Sequence, residues 1–205
     1  MPDDTITSAV PTIAGTPFGG GFYVGRIRQA DGICALIVAP RSEGERAATH
    51  WAKSNKAIAG ACSYFDGRAN TIAMAAEKSA LAQWALDLRI AGLDDWYLPA
   101  RDELELVYRH LKPGKYVRDA WRCGDNPSSV PPGYPYTKAG TVQTSAAAFQ
   151  EGNAEALDLD WYWTSTQYAG DAGYAWYQYF DYGRQSYDGK SASLRARAVR
   201  RFLIQ

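Results

Sequence analysis

The C-terminal part of the chain carries the pattern that most limits its fold. From Asp160 onward, aromatic and β-branched residues occur in three short runs, "WYWTSTQY", "YAWYQYFDY" and "SLRARAVRRFLI", separated by Gly-rich or polar turns. Runs of this length and composition predict β-strands, and the short turns between them predict antiparallel pairing. The end of the chain is therefore expected to form an antiparallel sheet.

The beginning of the chain adds a second β pattern. Two apolar runs, 22–28 and 33–39, are joined by Ala-Asp-Gly at 30–32, and this turn predicts a β-hairpin. Residues 1–20 are rich in Thr, Pro, Ala and Gly and have little periodic apolar pattern, which predicts a tail or extended arm. The remaining residues, 21–205, are expected to form a single domain, because a chain of 205 residues is short for two well-packed cores.

Helical patterns lie between the two β regions. Apolar residues recur every four positions between Asn70, an expected N-cap, and Gly92, an expected stop, and they predict one helix. A second helix is predicted over 100–111, with acidic residues in its first turn. Residues 112–158 hold many Pro, Gly and Ser residues and predict a long irregular excursion, with a short helix near 144–157. Strands and helices are segregated along the chain, which predicts an α+β fold.

Composition excludes several function classes. The 22 basic and 22 acidic residues leave no net charge, so the sequence does not favour a nucleic-acid partner. Three cysteines without a CxxC spacing indicate neither a disulfide framework nor a zinc site. No stretch approaches the ~20 apolar residues of a membrane span, and the N-terminus lacks a signal-peptide pattern. We expect a protein made in the cytoplasm, without membrane insertion.

Tyrosines are concentrated near the C-terminus, where seven of the chain's 14 lie between residues 162 and 187. Period-two alternation predicts one face with Trp176, Gln178 and Phe180 toward the core, and another with Tyr177, Tyr179 and Asp181 toward a partner. Tyrosine gives a large contact area at low rotamer cost, and neighbouring Ser, Gly and Asp add adaptable polar contacts. The pattern favours a binding surface; the alternative is that these tyrosines pack against a long loop.

Other candidate sites carry weaker signals. Four arginines near the C-terminus suggest an anion site for acidic or sulfated sugars, or ion pairs with Asp and Glu: Arg195, Arg197, Arg200 and Arg201. The only histidines, His50 and His110, leave few members for a His-centred triad, so both are expected to be non-catalytic. Asp158 and Asp160 are two carboxylates without further ligands at calcium spacing, and a loop end is expected there.

Three stretches together resemble a known family: "GLDDWYLPARDELELVY" (92–108), "YWTSTQY" (162–168) and "SLRARAVRRF" (193–202). They look like the C-type-lectin-fold domain of phage tail proteins and of collagen-like bacterial adhesins, distantly related to the formylglycine-generating enzyme. The resemblance implies two helices packed on a twisted antiparallel sheet, long irregular insertions, and first and last strands that pair. It also implies that the WxLP segment is a scaffold strand. Ala100 stands where the family often has Ser, so the second helix lacks its usual cap.

Many such domains are variable proteins of diversity-generating retroelements, in which adenine-directed mutagenesis rewrites codons near the 3′ end of the gene. The segment 162–193 resembles such a variable region, because its frame residues follow the Asn-rich pattern of relatives: Trp176, Gln178, Phe180, Gly183, Gln185 and Lys190. Tyr, Asp, Ser and Gly between them are what mutation of adenines in Asn codons yields. The resemblance implies these ligand-binding residues: Tyr168, Asp171, Tyr174, Tyr177, Tyr179, Asp181, Tyr182, Arg184, Ser186, Tyr187, Asp188 and Ser191.

The expected function is non-enzymatic binding of a protein or glycan receptor on a cell surface, on a virion tail or a bacterial surface, without cofactor or metal. Relatives are often trimeric, so a homo-oligomer is expected. One alternative is a glycan or glycosaminoglycan adhesin of fixed specificity, bound through the C-terminal arginines. Another is a formylglycine-generating-type oxidase, but such an enzyme needs a reactive cysteine pair, and 124–205 contains no cysteine.

Overall fold

A computed structural model of the protein describes residues 9–116, 123–137 and 142–204. Within these ranges it is a mixed α+β structure with two five-stranded, mainly antiparallel sheets, as the sequence predicts. The strands are β1 (Pro17–Phe18), β2 (Gly21–Gln29), β3 (Gly32–Val38), β4 (Glu45–Thr49), β5 (Ser129–Val130), β6 (Trp161–Gln167), β7 (Tyr174–Tyr179), β8 (Gln185–Gly189), β9 (Leu194–Arg197) and β10 (Val199–Leu203). The helices are α1 (Arg41–Gly44), α2 (Gly67–Ala76), α3 (Ala80–Asp87) and α4 (Arg101–Leu111).

The first sheet has the order β1-β2-β3-β10, with β5 paired to the other edge of β2. The predicted hairpin is confirmed as β2 and β3, with Gln29 opposite Gly32 at the turn. The resemblance implies that the first and last strands pair, and this expectation is wrong. The last strand, β10, pairs with β3, whereas β1 pairs with β2. The predicted arm reaches only partly into the described residues. Val10 and Ala14 pack against the core, and β1 pairs with β2, so residues 10–20 are part of the packed domain.

The second sheet has the order β4-β9-β6-β7-β8. The sequence predicts one C-terminal strand, but the structure has two, because the chain passes from the second sheet to the first at Ala198. The backbone of Ala198 accepts a hydrogen bond from Ala39 N and donates one to Gly44 O. β8 was not predicted, since its sequence QSYDG is largely polar. The WxLP segment contributes only one isolated bridge, from Tyr97 to Val199.

The predicted helix from Asn70 to Gly92 is wrong in its extent. It consists of α2 and α3, and the break between them lies at Lys78, whose φ is 62°. Ser79 explains the break: its hydroxyl donates to Trp51 O at 2.7 Å and accepts the Ala82 N–H that begins α3. The described residues therefore contain four helices. α2 and α3 replace the first predicted helix, α4 is the second, and α1 is an additional single turn.

The start of α2 also differs from the prediction. Asp66 is the N-cap and accepts a hydrogen bond from Ala69 N at 3.0 Å. The predicted cap, Asn70, lies inside the first turn, where its amide donates to Ser63 O at 2.7 Å and accepts from Ser63 N. Asn70 therefore fastens the preceding loop to the helix, a long-range role that its capping preference does not reveal.

The predicted helix over 100–111 is confirmed as α4, and Glu103 binds the backbone of its N-cap residue, Ala100, which has no capping side chain. Its carboxylate accepts hydrogen bonds from Ala100 N at 2.8 Å, from Gly67 N at 3.2 Å and from Tyr97 Oη at 2.7 Å. Glu103 is fully buried, and this burial raises the pKa of its carboxyl to about 7. One side chain thus joins the starts of α2 and α4 to the segment before α4.

The excursion after α4 is held by a second buried acid, Glu105. Its carboxylate accepts hydrogen bonds from Tyr136 Oη at 2.9 Å, from Arg109 Nε at 2.9 Å and from the Asn126 amide. The helix predicted near 144–157 is wrong: only a single 3₁₀ turn forms there, at Ala147–Phe149. Phe149 is fully buried, so the part of the excursion around this turn is packed although it is irregular.

No helix in the described ranges has the length and apolar character that crossing a bilayer requires.

Removing the Glu103 carboxylate is expected to destabilise the protein. In Glu103→Ala, three buried donors lose their acceptor, and an unpaired buried polar group costs about 1–3 kcal/mol. We expect the free energy of unfolding to fall by about 3 kcal/mol in urea denaturation. Glu77→Ala, at an exposed position after α2, is the matched control and should change it by less than about 0.5 kcal/mol. Equal stability of the two variants would contradict this role.

Candidate functional site

The predicted variable region forms the outer part of the second sheet. β7 lies between β6 and β8, with Trp163 opposite Tyr177 on one side and Tyr187 opposite Trp176 on the other. Directly opposite residues share a face of the sheet, so Tyr177 and Trp163 lie on one face and Trp176 and Tyr187 on the other. The aromatic residues therefore divide into two groups by strand parity.

The predicted orientation of this strand is wrong at Tyr177 and Trp176. Tyr177 is only 6% exposed, belongs to the core cluster of Trp163 and Ala175, and stacks on Trp161 at a centroid distance of 5.1 Å. Trp176 is half-buried on the opposite face. The physical reason is that β7 is packed on both faces, so alternation does not separate core from solvent. Phe180 is fully buried, as predicted.

Five aromatic residues around Trp176 form what we call the surface aromatic cluster: Tyr64, Tyr168, Tyr174, Trp176 and Tyr187. Tyr168 and Tyr187 stack with centroids 3.9 Å apart and an interplanar angle of 10°, and both meet Trp176 edge-on at 5.7 Å. Tyr64 and Tyr174 complete it, at 6.0 Å from Trp176 and 5.8 Å from Tyr187. Exposed fractions of 37%, 38% and 42% for Tyr64, Tyr174 and Tyr187 leave large ring areas open to a partner.

A second aromatic group lies on the face of Tyr177. Tyr179 contacts Trp161 at 6.0 Å and Tyr182 at 4.8 Å, and both tyrosines are half-buried. Trp161 itself is 38% exposed. The predicted site residues therefore do not form one continuous tyrosine surface. The structure brings Tyr168, Tyr174 and Tyr187 together, and it places Tyr179 and Tyr182 in a separate group.

The polar members of the predicted site surround these rings. Asp171, Arg184 and Ser191 are exposed, and Asp181, Ser186 and Asp188 are half-buried. Two of the acids also shape turns: Asp171 accepts a hydrogen bond from Gly173 N at 2.8 Å, and Asp188 accepts one from Gly189 N at 2.7 Å. These two side chains support the backbone beside the surface aromatic cluster.

Lys190 anchors the end of the variable region. It is fully buried, and its ammonium donates to Lys56 O at 2.9 Å and to Gln167 Oε1 at 2.7 Å, while lying 4.6 Å from the Trp51 ring centroid. Burial lowers the pKa of this ammonium to about 8. Lys190 follows the last residue of β8, and Gln185 is its first residue. Gln185 Oε1 accepts a hydrogen bond from Gly124 N at 3.1 Å. Both ends of β8 are thereby fastened to loops from earlier in the chain.

The four C-terminal arginines do not form an open anion site, because each is paired with carboxylates. Arg195 contacts Asp158 at 2.7 Å, and Arg200 contacts Asp95 at 2.6 Å. The others pair as follows: Arg197 with Glu45 and Glu155, each at 2.8 Å, and Arg201 with Asp66 at 2.8 Å. The ion-pair interpretation of this motif is therefore the one that the structure shows.

The remaining candidates have structural partners. His110 Nδ1 lies 2.7 Å from Val24 O, and burial lowers the pKa of its imidazole. Asp160 contacts Arg195 at 3.1 Å. Among described residues, the three cysteines are free thiols, and no group of three or more His, Cys, Asp or Glu side chains could hold a metal ion.

Sequence reasoning missed two residues of the site, Tyr64 and Arg101. Both lie outside 162–193, and neither belongs to a periodic pattern that predicts exposure. Arg101 is the first residue of α4, and its guanidinium lies 4.9 Å from the Trp176 ring centroid and 4.8 Å from that of Tyr64. Only the packing of α4 against β6 and β7 brings these residues together.

Stability measurements are expected to separate the buried tyrosine from an exposed one. Tyr177→Ala removes a buried ring that stacks on Trp161, and a large-to-Ala change in a core costs about 3–5 kcal/mol. Tyr187→Ala removes a ring that is 42% exposed and should cost less than about 1.5 kcal/mol. Urea unfolding of both variants checks the difference. If Tyr187→Ala were the more destabilising change, the assignment of inner and outer tyrosines would be incorrect.

Comparison with known proteins agrees with this architecture. The family model described as the Lcl C-terminal domain, a C-type-lectin-fold domain of variable proteins of diversity-generating retroelements, matches residues 44–200. No curated protein matches the chain. The matched range contains α2 to α4, all five strands of the second sheet, and the surface aromatic cluster. Since it covers most of the sequence, the chain belongs to the Lcl C-terminal domain family.

Proposed function

We propose that this protein is a non-enzymatic receptor-binding protein that uses the surface aromatic cluster to bind a protein on a cell surface. The observation that carries the proposal is the exposure of Tyr174 and Tyr187, at 38% and 42%, on strands whose backbones are paired on a packed core. Rings held in this way lose little freedom on binding, so the entropic cost of ordering them at an interface is small. Family membership supports a ligand-binding role of this kind.

The structure of the variable region fits diversification by a retroelement. Its frame residues have structural reasons to stay constant: Gln178, Phe180 and Lys190 are fully buried, and Gln185 is 9% exposed. Gly183 has φ +83°, and a Cβ there would lie 2.6 Å from the Tyr108 ring. These positions maintain the fold while neighbouring positions change.

The positions between the frame residues are more open. Tyr187, Arg184 and Ser191 are exposed, and Ser186 and Asp188 are half-buried, so their side chains can be replaced without emptying the core. Tyr177 is the exception, because it is buried. A repertoire built on this scaffold should therefore keep a large side chain at residue 177.

We propose that the protein acts where recognition of a changing surface is useful, at a phage tail tip or on a bacterial cell surface. A homo-oligomer, such as a trimer, would present several copies of the cluster and increase avidity. A formylglycine-generating-type oxidase needs a reactive cysteine pair, but Cys34 is buried and Cys123 Sγ is engaged with the backbone of Gln185 at 3.3 Å, which leaves Cys62 as the one exposed thiol among the described residues.

The diversification hypothesis predicts a second, Asn-rich copy of the coding segment for 162–193 near a reverse-transcriptase gene. Sequencing the neighbouring DNA tests it. Differences between the copies should coincide with adenines in the template and should fall in codons between the frame residues. Differences scattered over all four template bases would rule out diversification, although a fixed binding surface would remain.

The binding hypothesis predicts that the exposed tyrosines control adhesion to cells that display the receptor. Flow cytometry of labelled protein on a panel of bacterial cells gives the binding curve. The double variant Tyr174→Ala/Tyr187→Ala should weaken binding at least tenfold, since central aromatic residues often contribute 2 kcal/mol or more. Tyr134→Ala is the matched control, because Tyr134 is 76% exposed and lies outside the cluster. Equal binding by both variants on a cell type that the wild type binds would remove the cluster from the site.

A further inference from the structure

Arg101 is the charged residue at the edge of the surface aromatic cluster, and its guanidinium is incompletely paired. Nη2 lies 3.3 Å from Gln185 Oε1, Nη1 lies 3.5 Å from Asp102 Oδ1, and Nε is buried without a hydrogen-bond partner. Only one oxygen of Asp102 has a hydrogen bond, because Oδ2 accepts from Ser128 Oγ at 2.7 Å while Oδ1 is buried and has only the long contact with Arg101. The side chain of Arg101 keeps 17% of its surface exposed.

Other partly buried arginines of this protein show what complete pairing looks like. Arg197, Arg200 and Arg201 each approach a carboxylate oxygen to within 2.6–2.8 Å. Arg101 has no contact of that kind among the described residues. In the described ranges, Arg101 is the only arginine that contacts the cluster rings Tyr64 and Trp176. It therefore contacts the cluster without a charge-assisted pair of good geometry.

A second unused donor lies beside the guanidinium. The indole Nε1 of Trp176 is buried and has no hydrogen-bond partner, although Trp176 contacts the Arg101 guanidinium. Both atoms of the Gln178 amide, two residues along the same face of β7, are also buried and unpaired. Buried polar atoms without partners are rare in proteins, and each calls for an explanation such as a ligand or a bound water. Here two of them are donors on residues in contact with each other.

We propose that Arg101 binds a carboxylate of the receptor, as a constant charged anchor among tyrosines that vary. The inference rests on the proposed function and adds its chemistry: the ligand is a protein that presents an Asp or Glu side chain. The guanidinium lies between the rings of Tyr64 and Trp176, and its Nη1 and Nη2 atoms have only long contacts, to Asp102 and Gln185, so they are the atoms that would donate to a planar carboxylate. Because Arg101 lies outside 162–193, it stays the same while Tyr168, Tyr174 and Tyr187 change.

The shape of the surface favours a protein over a small ligand. Small-molecule sites are concave. A cavity of about 650 Å³ lies between β2 and the end of α4 and includes His110, and none of the cluster residues lines it. Tyr, Trp and Arg together are the residue types enriched at the energetic centre of protein–protein interfaces. The cluster supplies Tyr and Trp, and Arg101 at its edge supplies the third type.

Proton–nitrogen NMR of the whole protein tests this inference with small probes. N-acetylglutamate methylamide carries the proposed carboxylate, and N-acetylglutamine methylamide is its neutral counterpart. We expect saturable shifts of the Trp176 indole N–H and the Arg101 Nε–H signals with the first probe, and at least tenfold smaller shifts with the second. Arg101→Met should abolish the response, whereas Arg28→Met, at an exposed position on β2, should retain it. Arg101→Lys should give a reduced response, because lysine keeps the charge but lacks the planar fork.

Several results would overturn the proposal. Equal shifts with the two probes, or a full response in Arg101→Met, would show that no carboxylate binds at Arg101. A full response in Arg101→Lys would exclude the planar pair, and an equal response to sodium sulfate would exclude selectivity for carboxylates. Backbone amide spectra of each variant establish that it is folded. If the exposed tyrosines control cell binding but no probe response occurs, this inference fails while the proposed function stands.

Discussion

Two buried carboxylates on α4 hold the structure together. Glu103 accepts hydrogen bonds from the starts of α2 and α4 and from Tyr97, and Glu105 accepts them from the excursion that follows the helix. Desolvation of such groups is costly, and burial raises the pKa of both carboxyls. The cost is offset only because several donors converge on each one. These bonds consequently fix the position of the first half of α4.

The position of the surface aromatic cluster follows from the placement of α4. Arg101, at the first turn of α4, donates its backbone N–H to Thr166 Oγ1 on β6 at 3.0 Å, and Thr166 Oγ1 donates to Ser63 O at 2.8 Å. These bonds tie the helix to the second sheet and bring the loop that carries Tyr64 beside it. A guanidinium, a loop tyrosine and the half-buried Trp176 meet as a result. Residues that are far apart in the sequence thus share one surface without any of them belonging to a local motif.

Local interactions explain which elements could be predicted from the sequence. The hairpin of β2 and β3 depends on a tight turn, and α4 depends on its own apolar stripe and acidic first turn. Both elements can therefore be predicted from a short stretch of sequence. The break between α2 and α3 depends on the bond from Ser79 to Trp51 O, and the division between β9 and β10 depends on Ala198 bridging Ala39 and Gly44. Those contacts join distant segments, and no periodicity in the sequence reveals them.

The candidate site illustrates the same division between local and distant causes. The sequence correctly indicated a concentration of tyrosines, but strand parity assigned Tyr177 to the outside, because parity presumes that one face of a strand is open. β7 has neighbours on both edges and packing on both faces, so exposure depends on what covers each ring. Trp161 covers Tyr177, whereas Tyr187 lies on the edge strand and stays open. The exposure of a side chain on this scaffold is therefore set by its position within the sheet. Residues of the edge strand β8 and of the loop before β7 can be substituted with the smallest loss of core packing.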